Sequence, residues 1–245
     1  MAKVEKIKPY EGDERRKTDQ VRDMFDSIAP AYDFMNSAMS FGIHRRWLKK
    51  AVNLAAESNP RDILDVATGT ADVAIALSRR IPGARITGVD LSAGMIEVGE
   101  RKIEHLGLQD KISLRQADCM ALPFDDNSFD CVTVAYGVRN FEHLEKGYGE
   151  MLRVLRPGGR LVVIELSTPV NPFVKPLYSF YTKRIIPVVG RIVSKDVRAY
   201  SYLPESIAAV AQRADMTSMM TRVGFKEAAF RPLTLGVCCL YVAER

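Results

Sequence analysis

Short apolar runs alternate with segments of helical spacing along most of this 245-residue chain. The runs have the length of buried strands, and the segments between them carry apolar residues three or four positions apart, as amphipathic helices do. Strands that alternate with helices predict a parallel, doubly wound α/β sheet. The first predicted strand ends at Val66, and the next four cover residues 86–90, 112–116, 129–135 and 160–166. A closing hairpin with one antiparallel strand begins near residue 224, and its last strand covers residues 237–243.

Segments outside this pattern complete the predicted domain. Residues 21–29 predict a helix that ends at Pro30, because proline breaks a helix interior. Residues 205–223 predict another helix, with a methionine-rich apolar stripe. Residues 1–20 mix charges of both signs with proline and glycine, and we expect them to be disordered or frayed. Because a chain of this length can bury one ample core, we expect residues 21–245 to form a single domain.

A long aromatic and basic segment follows the fifth predicted strand. We interpret residues 167–203 as a cap inserted before the closing hairpin, since a loop of this length is usually functional. Mixed basic and aromatic residues suit contact with anionic lipid head groups, although an ordinary solvated helix is the alternative. Six basic residues stand against one acid, Asp196, between Phe173 and Arg198: Lys175, Lys183, Arg184, Arg191, Lys195 and Arg198.

The composition is that of an ordinary soluble protein, with 47% hydrophobic and 27% charged residues. No apolar run is long enough to span a membrane, and the first 22 residues are too charged for a secretory signal, so we expect a cytoplasmic protein. The four cysteines and three histidines lack metal-ligand spacing. We therefore expect reduced thiols and no metal.

The densest candidate chemistry follows the first predicted strand. From Ile63 to Asp72 the sequence is Ile-Leu-Asp-Val-Ala-Thr-Gly-Thr-Ala-Asp, which predicts a strand, a turn of small residues and the start of a helix. Small residues let the backbone approach a ligand, and the first turn of a helix offers unpaired N–H groups. This arrangement predicts a nucleoside-binding turn.

The acids around this turn favour a cationic cofactor over a dinucleotide. A dinucleotide fingerprint requires glycine where this chain has Asp72, whose carboxylate would meet the pyrophosphate. Asp65 and Asp72 instead suit the α-ammonium and sulfonium groups of S-adenosylmethionine. Asp90, which ends the second predicted strand, is placed to accept hydrogen bonds from two ribose hydroxyls. Asp118, after the third strand, is placed to accept one from the adenine amino group.

Five segments of the chain carry a family resemblance, and they cover residues 21–33, 41–47, 122–130, 136–140 and 202–207. The most specific are the loop Tyr-Gly-Val-Arg-Asn at residues 136–140 and the two N-terminal segments. Together the five resemble the ubiquinone/menaquinone biosynthesis C-methyltransferase family, and the resemblance extends from Val21 to the C-terminus. The resemblance implies a class I S-adenosylmethionine-dependent methyltransferase fold, a Rossmann-like α/β sheet of seven strands with the last antiparallel, N-terminal helices and the inserted cap.

The resemblance also implies the cofactor and the acceptor. The cofactor would be S-adenosyl-L-methionine and the acceptor a polyprenylated quinol. We favour conversion of demethylmenaquinol to menaquinol, and C-methylation of 2-methoxy-6-polyprenyl-1,4-benzoquinol is the alternative that the sequence leaves open. With the acids above, the expected cofactor contacts are Asp65, Gly69, Thr70, Asp90, Leu91, Asp118, Cys119 and Ala135. The family often has serine where this chain has Ala135.

Methylation of an aromatic carbon requires an electron-rich ring, so the acceptor should be the hydroquinone. Arg139 is expected to stabilise developing phenolate charge, and Asn140 to fix a ring hydroxyl. Tyr32 would line the substrate mouth, although it could instead only cap the next helix. Arginine is a poor base, so a water held by these residues, or Asp118, would accept the ring proton.

Two other classes compete with this interpretation. An isoelectric point near 9.0 suggests a nucleic-acid methyltransferase, but no Asn-Pro-Pro-Tyr-like loop follows the fourth strand and no cysteine follows a proline. A non-catalytic cofactor-binding protein would not require the loop at residues 136–140. We expect no nucleic-acid partner and peripheral contact with the inner face of a membrane. The sequence allows a homodimer without predicting one.

Overall fold

Seven strands form one mixed sheet in the computed structural model, which describes residues 2–10, 12–186, 188 and 197–245. The spatial order is β3-β2-β1-β4-β5-β7-β6, in which β1 to β5 are parallel and β7 runs antiparallel to both of its neighbours. The predicted fold class is therefore confirmed. The strands are β1 Asp62–Val66, β2 Arg85–Asp90, β3 Ile112–Gln116, β4 Phe129–Ala135, β5 Leu155–Leu166, β6 Lys226–Leu233 and β7 Cys238–Glu244.

Helices cover both faces of the sheet and its carboxyl edge. They are α1 Lys17–Ile28, α2 Tyr32–Met39, α3 Ile43–Ala56, α4 Asp72–Arg80, α5 Ala93–His105, α6 Leu144–Val154, α7 Val174–Phe180, α8 Val197–Ala209 and α9 Ala214–Val223. Shorter helical turns span Lys3–Lys6, Ala29–Ala31, Val138–Asn140, Tyr181–Ile185 and Thr234–Gly236. No helix within the described residues has the length and apolar character needed to cross a membrane.

The core lies in two layers, one on each face of the sheet. One layer packs α6 and α9 on the sheet, and the other packs α3 and α4 on the opposite face. Cys239 belongs to the first layer and its neighbour Cys238 to the second. Successive strand residues face opposite sides of a sheet, so the side chains of these two adjacent cysteines lie on opposite faces of β7.

The described part of the N-terminal segment packs against the rest of the domain, whereas its composition predicted disorder or fraying over residues 1–20. Val4 is fully buried, and the ammonium of Lys17 donates to its carbonyl oxygen (2.7 Å). Glu5 accepts from the backbone N–H of Leu144 (2.9 Å) at the start of α6. Two of the charges that suggested a solvated tail, those of Glu5 and Lys17, therefore have specific backbone partners, which composition alone cannot show.

The helix predicted over residues 205–223 is two helices, α8 and α9. The break lies at Arg213, which has a positive φ of 53° and donates its backbone N–H to the hydroxyl of Tyr241 (2.9 Å). The guanidinium of Arg213 also donates to the carbonyl oxygen of Thr168. These tertiary hydrogen bonds override the helical periodicity of the segment.

The cap places α7 at the carboxyl edge of the sheet. Tyr181, which follows α7, donates its hydroxyl to the carbonyl oxygen of Met39 (2.6 Å), and its ring lies 6.1 Å from that of Phe41. The cap is thereby joined to α2 and the turn before α3. Of the basic residues singled out in the sequence, Arg191 and Lys195 lie outside the described residues, as does the side chain of Lys183.

Gly147 and Gly149 of α6 form a matched pair that tests the packing of this helix. A Cβ at Gly147 would lie 2.7 Å from Cδ2 of the buried Phe141, whereas one at Gly149 would meet nothing within 4 Å. Alanine favours a helix over glycine by about 1 kcal/mol, so Gly149→Ala should raise the free energy of unfolding by that amount. Overpacking costs about 1–3 kcal/mol, so Gly147→Ala should gain nothing or lose stability. Urea unfolding measures both, and equal stabilisation would contradict this packing.

Candidate active site

Two cavities lie side by side at the carboxyl edge of the parallel strands. The first, which we call the cleft, has a volume of about 710 Å³ and is bounded by α1 and the ends of β2, β3 and β4. The second, which we call the chamber, has a volume of about 1050 Å³ and is bounded by α2, α3 and the cap. The two cavities share Phe25, Tyr32, Tyr136 and Asn140.

Six of the eight expected cofactor residues line the cleft. They end or follow four different strands, β1 to β4, because parallel strands bring their carboxyl ends to one edge of the sheet. The six are Gly69, Asp90, Leu91, Asp118, Cys119 and Ala135. Asp118 already accepts a hydrogen bond from the backbone N–H of Met120 (2.9 Å), and burial raises the pKa of the Cys119 thiol. Cys119 therefore lines the cleft as a neutral thiol.

The turn after β1 forms one wall of the cleft through an unusual backbone. Ala67, Gly69 and Ala71 all have positive φ, at 53°, 55° and 66°, and the two alanines adopt this conformation at a steric cost. Gly137 approaches the turn so closely that a Cβ there would lie 2.6 Å from Cβ of Ala67. Strained backbone of this kind clusters at ligand sites, and here it holds small residues against the cleft.

Asp90 is held rigidly at the floor of the cleft. One carboxylate oxygen accepts from the backbone N–H of Gly69 (2.8 Å) and the other from that of Ser92 (2.9 Å). Burial raises the pKa of Asp90, and these backbone hydrogen bonds act in the opposite direction. Since a carboxylate offers about four lone-pair sites, each oxygen can accept one further hydrogen bond from a ligand.

Asp65 and Thr70, the other two expected cofactor residues, do not line the cleft. They border a smaller cavity of about 420 Å³, which shares Gly69 and Ala135 with the cleft. Asp65 is 1% exposed and accepts hydroxyl hydrogen bonds from Thr68 and Thr133 (both 2.6 Å). Burial raises its pKa to about 6. In this arrangement Asp65 fixes the turn after β1.

Asp72 borders the same smaller cavity. Its carboxylate forms an ion pair with Lys102, which donates to Asp33 of α2 as well (2.8 Å). Asp33 in turn accepts from the hydroxyl of Thr70 (2.5 Å). Lys102 therefore balances only one of the two carboxylates, and this cluster fastens α2 to α4 and α5.

The surface of the chamber is mostly apolar, and polar side chains stand among the aromatic and aliphatic residues that line it. The three expected catalytic residues, Tyr32, Arg139 and Asn140, all line it. Tyr32 opens α2 and packs edge-to-face against Phe25 with 6.1 Å between ring centroids. The amide oxygen of Asn140 accepts from the hydroxyl of Tyr202 (3.2 Å), so α8 contributes to this wall.

Arg139 has a buried partner that the sequence analysis missed. Its Nη1 donates to a carboxylate oxygen of Glu165 (2.8 Å) and to the carbonyl oxygen of Tyr136, while its buried Nε has no hydrogen-bond partner among the described residues. Glu165 is 1% exposed. A lone acid inside the apolar run of β5 was the available signal, because a buried charge requires a partner.

Comparisons with known proteins show the family and the fold of the chain. The model of the ubiE/COQ5 methyltransferase family matches residues 13–245. A demethylmenaquinone methyltransferase of Bacteroides fragilis is 48% identical over 241 residues, covering 98% of each chain. A ubiquinone/menaquinone biosynthesis C-methyltransferase of Geobacter sulfurreducens is 43% identical over 94% of this chain and 90% of its own. A solved methyltransferase structure from Aquifex aeolicus shares the fold, with a TM-score of 0.55 at 18% identity over 75% of this chain and 81% of its own.

Proposed function

The chain belongs to the ubiE/COQ5 methyltransferase family, and from that premise we propose that it C-methylates a polyprenylated quinol, converting demethylmenaquinol to menaquinol. The observation that carries the proposal is the junction of the cleft with the apolar chamber through four shared residues. A nucleoside cofactor in one cavity and a prenylated ring in the other would meet at that junction.

The residues of the cleft fit S-adenosylmethionine, which supplies a sulfonium-activated methyl group when bound. Asp90 would accept hydrogen bonds from the two ribose hydroxyls, and Asp118 would accept one from the adenine amino group. Asp65 and Thr70 border the smaller cavity beside Gly69, and they would hold the amino-acid end of the cofactor. The small residues of the turn after β1 let this end approach the backbone closely.

Tyr32, Arg139 and Asn140 position and polarise the acceptor ring. Asn140 fixes one ring hydroxyl, and Tyr32 holds the ring at the junction of the two cavities. Alignment of reacting groups can supply on the order of 7–11 kcal/mol. Arg139 stabilises phenolate charge as it develops; because Glu165 already pairs with its Nη1, this effect depends on its remaining N–H groups.

The relatives favour a naphthoquinol acceptor. The relatives from Bacteroides fragilis and Porphyromonas gingivalis, at 48% and 47% identity, are both named demethylmenaquinone methyltransferases. Relatives with the ubiquinone/menaquinone name are 41–43% identical. The benzoquinol remains the second candidate, and side-by-side assays of the two reduced substrates distinguish them.

Turnover should depend on the redox state of the acceptor. Only the hydroquinone has a ring carbon electron-rich enough to attack the methyl group, so purified enzyme should methylate demethylated quinol in the presence of reductant and not the oxidised quinone. The measurement is methylated product by mass spectrometry, with and without dithionite under anaerobic conditions. Equal turnover of the strictly oxidised quinone would contradict attack through carbon.

We further propose that the outer face of the cap contacts a membrane surface, from which the prenylated substrate enters the chamber. Phe173, Leu177 and Phe180 follow an i, i+4, i+7 spacing along α7 and are 89%, 71% and 60% exposed, so they form one apolar stripe. Phe41, 81% exposed, lies beside the cap. The exposed basic residues Lys175 and Arg184 lie in the same segment and suit anionic head groups.

A triple Phe173→Ser/Leu177→Ser/Phe180→Ser variant should bind anionic vesicles at least about a hundredfold more weakly, since burial of each such side chain contributes about 1.5–3 kcal/mol. Vesicle cosedimentation measures this. Leu106→Ser, which removes an exposed leucine after α5 at the opposite edge of the sheet, is the matched control and should bind as the unmodified protein does. Unchanged binding of the triple variant would mean that α7 is only a solvated helix.

A further inference from the structure

His44 is a polar group of the chamber to which none of the roles above applies. It lies in the first turn of α3, is 8% exposed, and lines the chamber together with Asn36 and Ser40 of the preceding segment. His44 also borders the smaller cavity beside Gly69. The imidazole therefore stands between the chamber and the wall of the cofactor site.

Hydrogen bonding fixes the tautomer of His44. The hydroxyl of Ser40 donates its one proton to the carbonyl oxygen of Asn36 (2.6 Å), and the same oxygen lies 2.7 Å from Nδ1 of His44. Ser40 can therefore only accept from the imidazole, which places the ring proton on Nδ1. Nε2 is left with a free lone pair, and it has no hydrogen-bond partner among the described residues.

The neutral imidazole is also the favoured charge state. Burial lowers the pKa of His44, and the neighbouring Arg45 acts in the same direction, while Asp72 of α4 and Asp33 of α2 oppose them. Asp72 and Asp33 are themselves paired with Lys102, which weakens their effect. The net shift leaves Nε2 unprotonated at neutral pH.

The remaining described groups that line the chamber are unsuited to accept a proton. No carboxylate lines it. Burial raises the pKa of Tyr32, Tyr136, Tyr178 and Tyr202, so these phenols stay protonated. Arg139 is a cation paired with Glu165. Among the described chamber residues, His44 is thus the only side chain that offers a basic lone pair near neutral pH.

We propose that His44 is the general base that accepts a proton from a hydroxyl of the quinol as its ring carbon is methylated; this inference rests on the proposed function. The O–H electron pair becomes a C=O bond, the ring carbon forms the new bond to the methyl carbon, and the electron pair of the broken C–S bond remains on sulfur. The methylated carbon then loses its proton to water, and the imidazolium returns its proton to the oxygen, which restores the aromatic quinol. The net products are the methylated quinol, the neutral demethylated cofactor and one proton.

His44→Gln tests this role, and His143→Gln, at an exposed histidine before α6, is the matched control. A positioned base typically contributes about 10²–10⁴-fold to rate, so kcat of the His44 variant should fall by that factor while cofactor affinity by calorimetry stays unchanged. The unmodified enzyme should lose activity as pH falls below the lowered pKa of His44, and this acid limb should disappear in the His44 variant. Added imidazole should restore part of the activity of His44→Ala.

A second measurement does not depend on turnover. Nitrogen NMR shifts of labelled histidine should show His44 as the Nδ1–H tautomer with a pKa below about 6.5, the ordinary value, and Ser40→Ala should change the tautomer populations. An Nε2–H tautomer in the unmodified protein would overturn the inference, as would a His44→Gln variant that keeps both the rate and the acid limb. An unmodified enzyme that methylates no quinol would instead contradict the proposed function and this inference with it.

Discussion

Replacement of Asp90 by alanine should abolish measurable binding of S-adenosylmethionine. The carboxylate is half-buried in the cleft, and the backbone N–H groups of Gly69 and Ser92 each donate to one of its oxygens, so the ribose hydroxyls would meet a fixed acceptor. Hydrogen bonds to a charged group contribute about 1.5–3 kcal/mol each. Loss of two such bonds corresponds to roughly a 10²- to 10⁴-fold weaker affinity, since each 1.4 kcal/mol is a factor of ten.

Melting temperatures separate binding from folding for Asp90→Ala and for a second variant, Asp90→Asn. Burial disfavours the charged form of Asp90, but an amide presents its NH2 group to one of the two backbone donors, Gly69 or Ser92, so Asp90→Asn should also lose some stability, and affinity is compared at a temperature at which each variant is folded. Isothermal titration calorimetry should show weakened cofactor binding for both variants, whereas Asp125→Ala, at an exposed acid in the turn before β4, should bind normally. Unchanged affinity of Asp90→Ala, or binding of NADH in place of S-adenosylmethionine, would contradict the assignment of the cleft.

Replacement of Arg139 should slow turnover about a hundred- to a thousandfold, since removal of one positioned donor to a developing anion costs about 2.7–4 kcal/mol of barrier. Cofactor affinity should change little, because Arg139 lines the chamber and not the cleft. The same substitution leaves the buried Glu165 without its ion-pair partner, and loss of one partner of a buried pair lowers the free energy of unfolding by about 3–5 kcal/mol. Reduced activity of Arg139→Gln alone would therefore be ambiguous.

A double-mutant cycle with Glu165→Gln removes the ambiguity. Arg139→Gln/Glu165→Gln has no uncompensated charge, so its melting temperature should recover most of the loss seen in Arg139→Gln. Its kcat should stay as low as that of Arg139→Gln, because the donor to the phenolate is still missing. Recovery of both stability and kcat in the double variant would show that Arg139 acts only through the fold.

The residues that line the cleft were largely predictable from the sequence, because they lie at or just after the carboxyl ends of strands. Asp90 and Asp118 end or follow strands whose apolar runs are visible in the sequence, and parallel pairing brings those ends together. Asp65 was expected in the same cleft and lies outside it for a physical reason. Its carboxylate accepts hydrogen bonds from the hydroxyls of Thr68 and Thr133, and the spacing of residues along the chain predicts neither bond. The strand-and-turn motif therefore predicts that a residue lies at the carboxyl edge of the sheet, but it does not predict which cavity at that edge the side chain lines.

The chamber was not predictable in the same way. Tyr202 and Asn140 are 62 residues apart, and their hydrogen bond depends on how the cap folds back over the sheet. The Arg139–Glu165 pair joins the loop after β4 to the end of β5. Likewise, Lys17 and Glu5 carried charges that suggested a solvated tail, until their backbone partners in other elements were known. Periodicity predicts elements, and such long-range polar pairs decide how the elements pack.

The most direct test of the proposed function is the fate of a labelled methyl group. Purified protein is incubated anaerobically with reductant, demethylmenaquinol and S-adenosylmethionine that carries a ¹³C-methyl group, and the product is fragmented by mass spectrometry. We predict a menaquinol whose labelled methyl group is bonded to a ring carbon. A labelled methyl group bonded to oxygen, or no labelled product from either the naphthoquinol or the benzoquinol, would contradict the account.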